Sequence, residues 1–155
     1  MLPVKRILCP TDFSEPSQEA LDVAVEFAHL FQAELLVVHV VSPVPTVAAP
    51  AESIGFDVGA YQQGLSESAE RSLDELVKER VPANIVSHYM VAHGDAAHEI
   101  IRLAEKNSAD LIITATRGAS GWRAFMFGSV AERIVRTSPY PVLTVPPPGE
   151  ESDDT

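Results

Sequence analysis

The chain is short of four things, and each shortage removes a class of function. Cysteine occurs once, at Cys9. One thiol closes no internal disulfide and builds no thiolate zinc site. Its place in an apolar run marks it as a buried, inert side chain. Cations are scarce: 11 lysines and arginines stand against 22 aspartates and glutamates, a formal net charge of −11. General nucleic-acid binding draws its affinity largely from cations on phosphates, so no nucleic-acid partner is expected. No apolar run approaches the roughly 18 residues of a membrane span. Residues 1–10 hold no apolar stretch long enough for a secretory signal. The expectation is a cytoplasmic protein with no membrane partner. The last shortage is local. No lysine lies between Asn107 and Thr155, which removes the P-loop pattern G-x-x-x-x-G-K-S/T, and the dinucleotide fingerprint G-x-G-x-x-G is absent too.

What is present suits one soluble globular domain: 155 residues, 46% apolar and 21% charged. Short apolar runs at 4–9, 34–41, 84–91, 110–114 and 141–145 read as strands, the second of them apolar on both faces. Between them lie stretches with helical spacing. Ala20, Leu21, Ala24, Val25, Phe27, Ala28 and Phe31 recur after Ser14, a candidate cap, and Pro16 in the first turn. Leu65, Ala69, Leu73, Leu76 and Val77 mark a helix over 65–80. Gly94 and Asp95 form a turn and cap before one carrying Ile100, Ile101 and Ala104 inward, and Val130, Ile134 and Val135 mark the last. Residues 42–64, with their prolines, glycines and interspersed Val44, Val47, Ile54, Phe56 and Tyr61, read as a long excursion that folds over a site or a partner. The tail 147–155 is acidic and reads as disordered. Strands separated by helix-length segments imply βαβ units and a parallel sheet covered on both faces.

Ligands of such sheets sit beyond the carboxyl ends of the strands, where the winding reverses. Two strand ends are dressed for that place: Pro10, Thr11 and Asp12 after the first strand, and Ala115, Thr116, Arg117 and Gly118 after the fourth. The second leads into Gly128 and Ser129, at the start of the last helix. Glycine permits close approach of backbone, and a helix start offers unpaired N–H groups and a favourable dipole to an anion. Between 115 and 137 there are four arginines (117, 123, 133 and 136) and one acid, Glu132. Arg133 and Arg136 read as solvated surface charges; Arg117 and Arg123 fit a surface or an anion equally. Ser129 followed by Glu132 also fits a capping box, S-x-x-E, which needs no ligand. Asp12 suits a ribose hydroxyl or a cation held through water, and equally a turn bonded to its own backbone; Thr11 carries the same two readings. His39 reads as packing at the rim ahead of ligation. Trp122, Phe125, Met126 and Phe127 form an apolar patch that reads as core, or else as a lid. Ser14 and Ser120 have no visible base, so no nucleophilic catalysis is expected.

From 4 to 145 the chain resembles the universal stress protein family. The resemblance rests on Arg6 to Ser14, on Val37 to Val40, and on the stretch from His93 to Ile101. It rests most specifically on Thr114 to Gly121 with Gly128 to Arg136, then Pro139 to Val145. Nucleotide-binding members carry G-x2-G-x9-G-S/T. Here the matching positions are Ala115, Gly118, Gly128 and Ser129, with alanine in place of the first glycine. The resemblance implies a Rossmann-like or flavodoxin-like three-layer α/β sandwich with strand order 3-2-1-4-5, in one domain over 1–146. It implies ATP or AMP as a ligand, with Mg2+. Gly118, Gly128, Ser129 and Val130 would hold phosphates, Thr11 and Asp12 would sit near the adenosine, and the Val40 backbone beside the adenine. It implies a homodimer through 141–145, and a stress-response or signalling module, not an enzyme, with slow ATP hydrolysis left open. A nucleotide-independent interaction module of the same fold is the alternative.

Overall fold

The structure is a computed structural model that describes residues 3–44, 55, 57–117 and 127–147. In chain order the elements are β1 (Arg6–Pro10), α1 (Glu15–Phe31), β2 (Glu34–Val41), α2 (Val58–Arg80), β3 (Ser87–His93), α3 (Ala96–Lys106), β4 (Leu111–Ala115), α4 (Ser129–Thr137) and β5 (Val142–Val145). The strands form one sheet in the order β3-β2-β1-β4-β5, and every pairing is parallel. β1 lies at the centre, with Ile7 opposite Leu35 on one side and Leu111 on the other.

Successive strand side chains point to opposite faces, and here both faces are apolar. Ile7, Cys9, Leu35, Val37 and Ile113 pack against Leu21 and Ala24 of α1 and Leu73 and Leu76 of α2. Leu8, Leu36, Val38 and Ile112 pack against Ile100, Leu103 and Ala104 of α3 and Ile134 of α4. This is why the central strands read as unbroken apolar runs and why helices cover both sides. Asp110 ties the start of β1 to β4, its carboxylate accepting from the N–H groups of Lys5 and Arg6 at 2.8 and 3.0 Å. Cys9 is fully buried in this core; burial, with Asp22 adding to it, pushes its thiol up to about 12.

Several boundaries differ from the sequence reading. α2 begins at Val58, so residues 58–64 belong to a helix and not to an excursion. Asp57 caps it by accepting from the Ala60 N–H at 3.1 Å. Gly59 and Gly64 suggest loop because each costs about 1 kcal/mol against alanine in a helix, yet the cap and the packing of Ala69, Leu73 and Leu76 further along carry them. Residues 45–54 and 56 lie outside the described residues, as do Met126 and the segment before it back to Gly118, and the tail from 148. β3 starts three residues later than expected and ends two later, and as an edge strand it leaves Tyr89 exposed. On α4 the inward residues are Ala131 and Ile134, while Val130 and Val135 are exposed. Ser14 caps α1 by backbone position without a side-chain bond, and Phe31 is exposed at its end. Among the described residues no helix is long and apolar enough to cross a membrane.

Two outcomes follow from this packing. Leu73 is the fully buried contact of α2 with the sheet, so Leu73→Ala should lower unfolding free energy by about 2–5 kcal/mol in a denaturant titration. Asp95, the cap of α3, accepts from Arg133 at 2.7 Å and from the His98 N–H at 3.0 Å. The Arg133 side chain first, then that N–H, hold its carboxyl below the usual range. A depressed folded value contributes stability that is full above the unfolded value, about 3.9, and that is lost as pH falls through the folded one. Wild type should therefore exceed Asp95→Asn in urea midpoint at neutral pH, and the gap should close in acid.

Candidate functional site

The chain lays down β1, β2 and β3 in one direction and then crosses to β4 and β5 on the other side. The two loops that leave β1 and β4 therefore part company at the carboxyl edge of the sheet, opening a crevice there. A cleft of about 340 Å³ occupies this place. It is lined by Pro10, Thr11 and Asp12, by Val40, by Ala115, Thr116 and Arg117, and by Gly128, Ser129 and Val130. These are the residues singled out from sequence, brought together from separate segments; Gly118 lies outside the described residues.

The loop after β1 is held by a chain of hydroxyls. Ser17 Oγ donates to the Ser14 carbonyl at 2.8 Å. Its one proton being used, it accepts from Thr11 Oγ1 at 2.9 Å. Thr11 Oγ1 in turn accepts from the Phe13 N–H at 3.0 Å. The Thr11 N–H donates to the Val38 carbonyl at 2.8 Å. Thr11 is thus a brace for the loop, with its proton directed inward. Asp12 Oδ1 accepts from the Ser14 N–H at 3.1 Å and from the Ser14 hydroxyl, which is the turn geometry weighed from sequence. Phe13 sits in the left-handed region at φ 66°, a position that a non-glycine residue holds only under constraint from its surroundings. His39 supplies part of that constraint. Its Nδ1 lies 2.8 Å from the Thr11 carbonyl and must carry the hydrogen, since a carbonyl only accepts. Its ring rests 4.6 Å from that of Phe13. His39 is both packing and cleft wall.

The loop after β4 is held by backbone. The Thr116 N–H donates to the Val145 carbonyl at 3.0 Å, and the Thr116 carbonyl accepts from the Gly128 N–H at 2.6 Å. The second bond bears on the helix start in two ways. The Gly128 amide is committed within the chain, so the amides left to an anion at this helix start are those of Ser129, Val130 and Ala131; the Glu132 N–H is the first to bond back, to the Gly128 carbonyl at 2.9 Å. Gly128 is also the cap, at φ −72°, and Ser129 is the first helical residue. The capping box therefore does not form, and Glu132 pairs instead with Arg136 at 2.7 Å. At φ −72° any residue fits, so the backbone conformation at 128 does not itself require glycine. Ala115 is likewise absent from the positive-φ residues; it is an ordinary β4 residue opposite Val145 and lines the cleft.

Arg117 stands at the cleft half-buried, whereas Arg133 and Arg136 pair on the surface with Asp95 and Glu132, as expected. Arg123 lies outside the described residues. Sequence reasoning missed Ser17, Val38, Ala96, Ile100, Thr114 and Ala131 as cleft residues. A signal for two of them exists: the first turn of a helix following a parallel strand starts at the carboxyl edge, and Ala96 and Ile100 share a face there by their spacing of four. Among the described residues no group of three or more His, Cys, Asp or Glu is arranged to hold a metal ion.

Comparison with known proteins gives this geometry a family. Residues 3–146 match the sequence model of the Universal stress protein family. Universal stress protein MJ0531 of Methanocaldococcus jannaschii is 35% identical over 150 residues, covering 95% of this chain and 85% of its own. The solved structure of MJ0577, from the same organism, superposes with a TM-score of 0.81 at 27% identity, covering 94% of this chain and 98% of that one. A universal stress protein solved in complex with cAMP superposes with a TM-score of 0.64 at 21% identity over 92% of this chain and 96% of its own, a likeness of fold. The sheet order and the cleft at its reversal accord with that membership, and the chain belongs to the universal stress protein family.

Proposed function

We propose that this protein binds an adenine nucleotide, ATP or AMP, as a regulatory ligand in the cleft between β1 and β4, and serves as a stress-response module. The observation that carries the reading is the meeting of the loops after β1 and β4 with the start of α4 around one cleft of about 340 Å³, a volume in the range of small-ligand sites. The polar groups divide by wall. Asp12 stands on the β1 side as an acceptor suited to ribose hydroxyls or to a hydrated Mg2+ that enters with the nucleotide. Arg117 and the amides of 129–131 stand on the other side as donors suited to phosphate. The apolar Val38, Val40, Ala96 and Ile100 would take the base. The relative solved with cAMP supports an adenine nucleotide as the ligand class. Ligand and not substrate is the reading, because the groups lining the cleft do not form the lysine-and-base clamp of phosphoryl transfer. Ser66 and His93 elsewhere make a pair of the wrong polarity for a nucleophile: Ser66 Oγ gives its proton to the Gln62 carbonyl and accepts from His93 Nε2 at 3.1 Å.

We also propose a homodimer through β5, an edge strand that pairs only with β4 among the described strands. The Pro141 and Val145 carbonyls face β4, accepting from the Ile112 and Thr116 N–H groups. By alternation the backbone of Val142 and Thr144 faces outward, to a second copy of the strand.

Calorimetric titration of purified protein with ATP and AMP in Mg2+ should give saturable heat, and Gly118→Asp or Gly128→Asp should abolish it. No heat at millimolar nucleotide rejects the reading. Thr144→Pro removes an outward N–H while sparing the ladder to β4, so light scattering should report a folded monomer where wild type is a dimer. A dimer unaffected by that change places the interface elsewhere.

A further inference from the structure

Three threonines line the cleft and are almost wholly buried: Thr11, Thr114 and Thr116, with 5%, 6% and 5% of their surface exposed. Their hydroxyls differ in what they do. Thr11 belongs to the brace that holds the β1 loop. Thr114 directs its hydroxyl to the Ala115 carbonyl at 3.4 Å. Thr116 Oγ1 has no partner among the described residues, and neither has the buried Nε of the next residue, Arg117. The backbone of Thr116 is fully engaged, N–H to Val145 and carbonyl from Gly128, so the hydroxyl is the one polar group of this residue left unmatched. A buried polar group without a partner destabilises the fold that contains it. A bound oxygen that accepts from it removes that penalty.

We infer that the Thr116 hydroxyl is the selectivity donor of the cleft, giving its proton to a phosphate oxygen and so favouring nucleotide over nucleoside. The inference rests on the nucleotide reading above and adds to it which residue ranks the ligands. Phosphate is indicated over ribose or base by the company Thr116 keeps. The 2.6 Å bond from Gly128 fixes it directly beside the start of α4, and the groups left over on the same side of the cleft, the Arg117 Nε–H and the amides of Ser129, Val130 and Ala131, are donors. Such a set matches an oxygen with several lone pairs and a negative charge. A hydroxyl that must also donate would leave part of the set unpaired.

The assignment makes stability and binding move in opposite directions, which a structural hydroxyl would not do. Thr116→Val keeps the shape and deletes the unmatched group. Without ligand it should melt at or above the wild-type temperature. Its affinity for AMP should fall about tenfold or more, as for loss of a hydrogen bond to a charged group, while its affinity for adenosine stays as in wild type. Thr116→Ser, which keeps the hydroxyl, should retain AMP binding. Four results overturn the assignment: ligand-free Thr116→Val melting below wild type, Thr116→Val binding AMP as wild type does, an equal loss for adenosine and AMP, or Thr116→Ser losing AMP as Thr116→Val does. Wild type that binds neither AMP nor ATP removes the nucleotide reading itself and this assignment with it. Wild type that binds AMP no better than Thr116→Val removes the assignment alone.

Discussion

A parallel sheet that is apolar on both faces must be covered on both, and the rest of this molecule depends on that constraint. The helices α1 and α2 cover one face, α3 and α4 the other. A chain can do this only by winding one way from its first strand, then crossing back and winding the other way, since crossovers between parallel strands keep one hand. The crossing falls between β1 and β4. There the departing loops leave in opposite directions and the sheet edge stays open. The cleft is therefore a consequence of burying hydrophobic surface, available before any side chain in it is specified.

Much of this was legible in the sequence, for reasons that differ by element. The central strands announce themselves because burial on both faces demands runs such as Leu35 to Val38. The cleft residues around Asp12 and Thr116 are legible because strand ends in such sheets carry the ligands, and the chain breaks its apolar runs there with polar and turn-forming residues. What was not legible depends on balances between neighbours. Glycines at 59 and 64 favour a loop locally, and only the cap at Asp57 and the docking of Leu73 outweigh that preference. Ser129 and Glu132 satisfy the spacing of a capping box, yet Gly128 takes the cap because its N–H is drawn to Thr116. Side-chain patterns see the residues but not which of two adjacent backbone groups is already spoken for. Ala96 and Ile100 reach the cleft from the first turns of α3, where their shared face gives a signal only once the helix is placed at the carboxyl edge of the sheet.

The two walls of the cleft are set by different means. On the β1 side, side chains fix the loop: a run of hydroxyls, the carboxylate of Asp12 and the ring of His39 hold Phe13 in a backbone region it would otherwise avoid. On the β4 side, main chain bonds to Val145 and Gly128 do the fixing and leave side-chain donors over. One wall is fixed through its side chains, and the other leaves the Thr116 hydroxyl and the Arg117 Nε without a partner among the described residues. The proposed nucleotide, hydroxylated at one end and anionic at the other, would meet a different kind of wall at each end.

The solitary sulfur of Cys9 lies within β1, fully enclosed and held in its neutral thiol form by its surroundings. Peroxide and thiol reagents attack the anion, and they need access. In the folded domain this thiol is closed to both kinds of reagent. The same enclosure turns this atom into a reporter: alkylation can proceed only as fast as the middle of the sheet comes apart, so the labelling rate is a clock for opening of the whole domain.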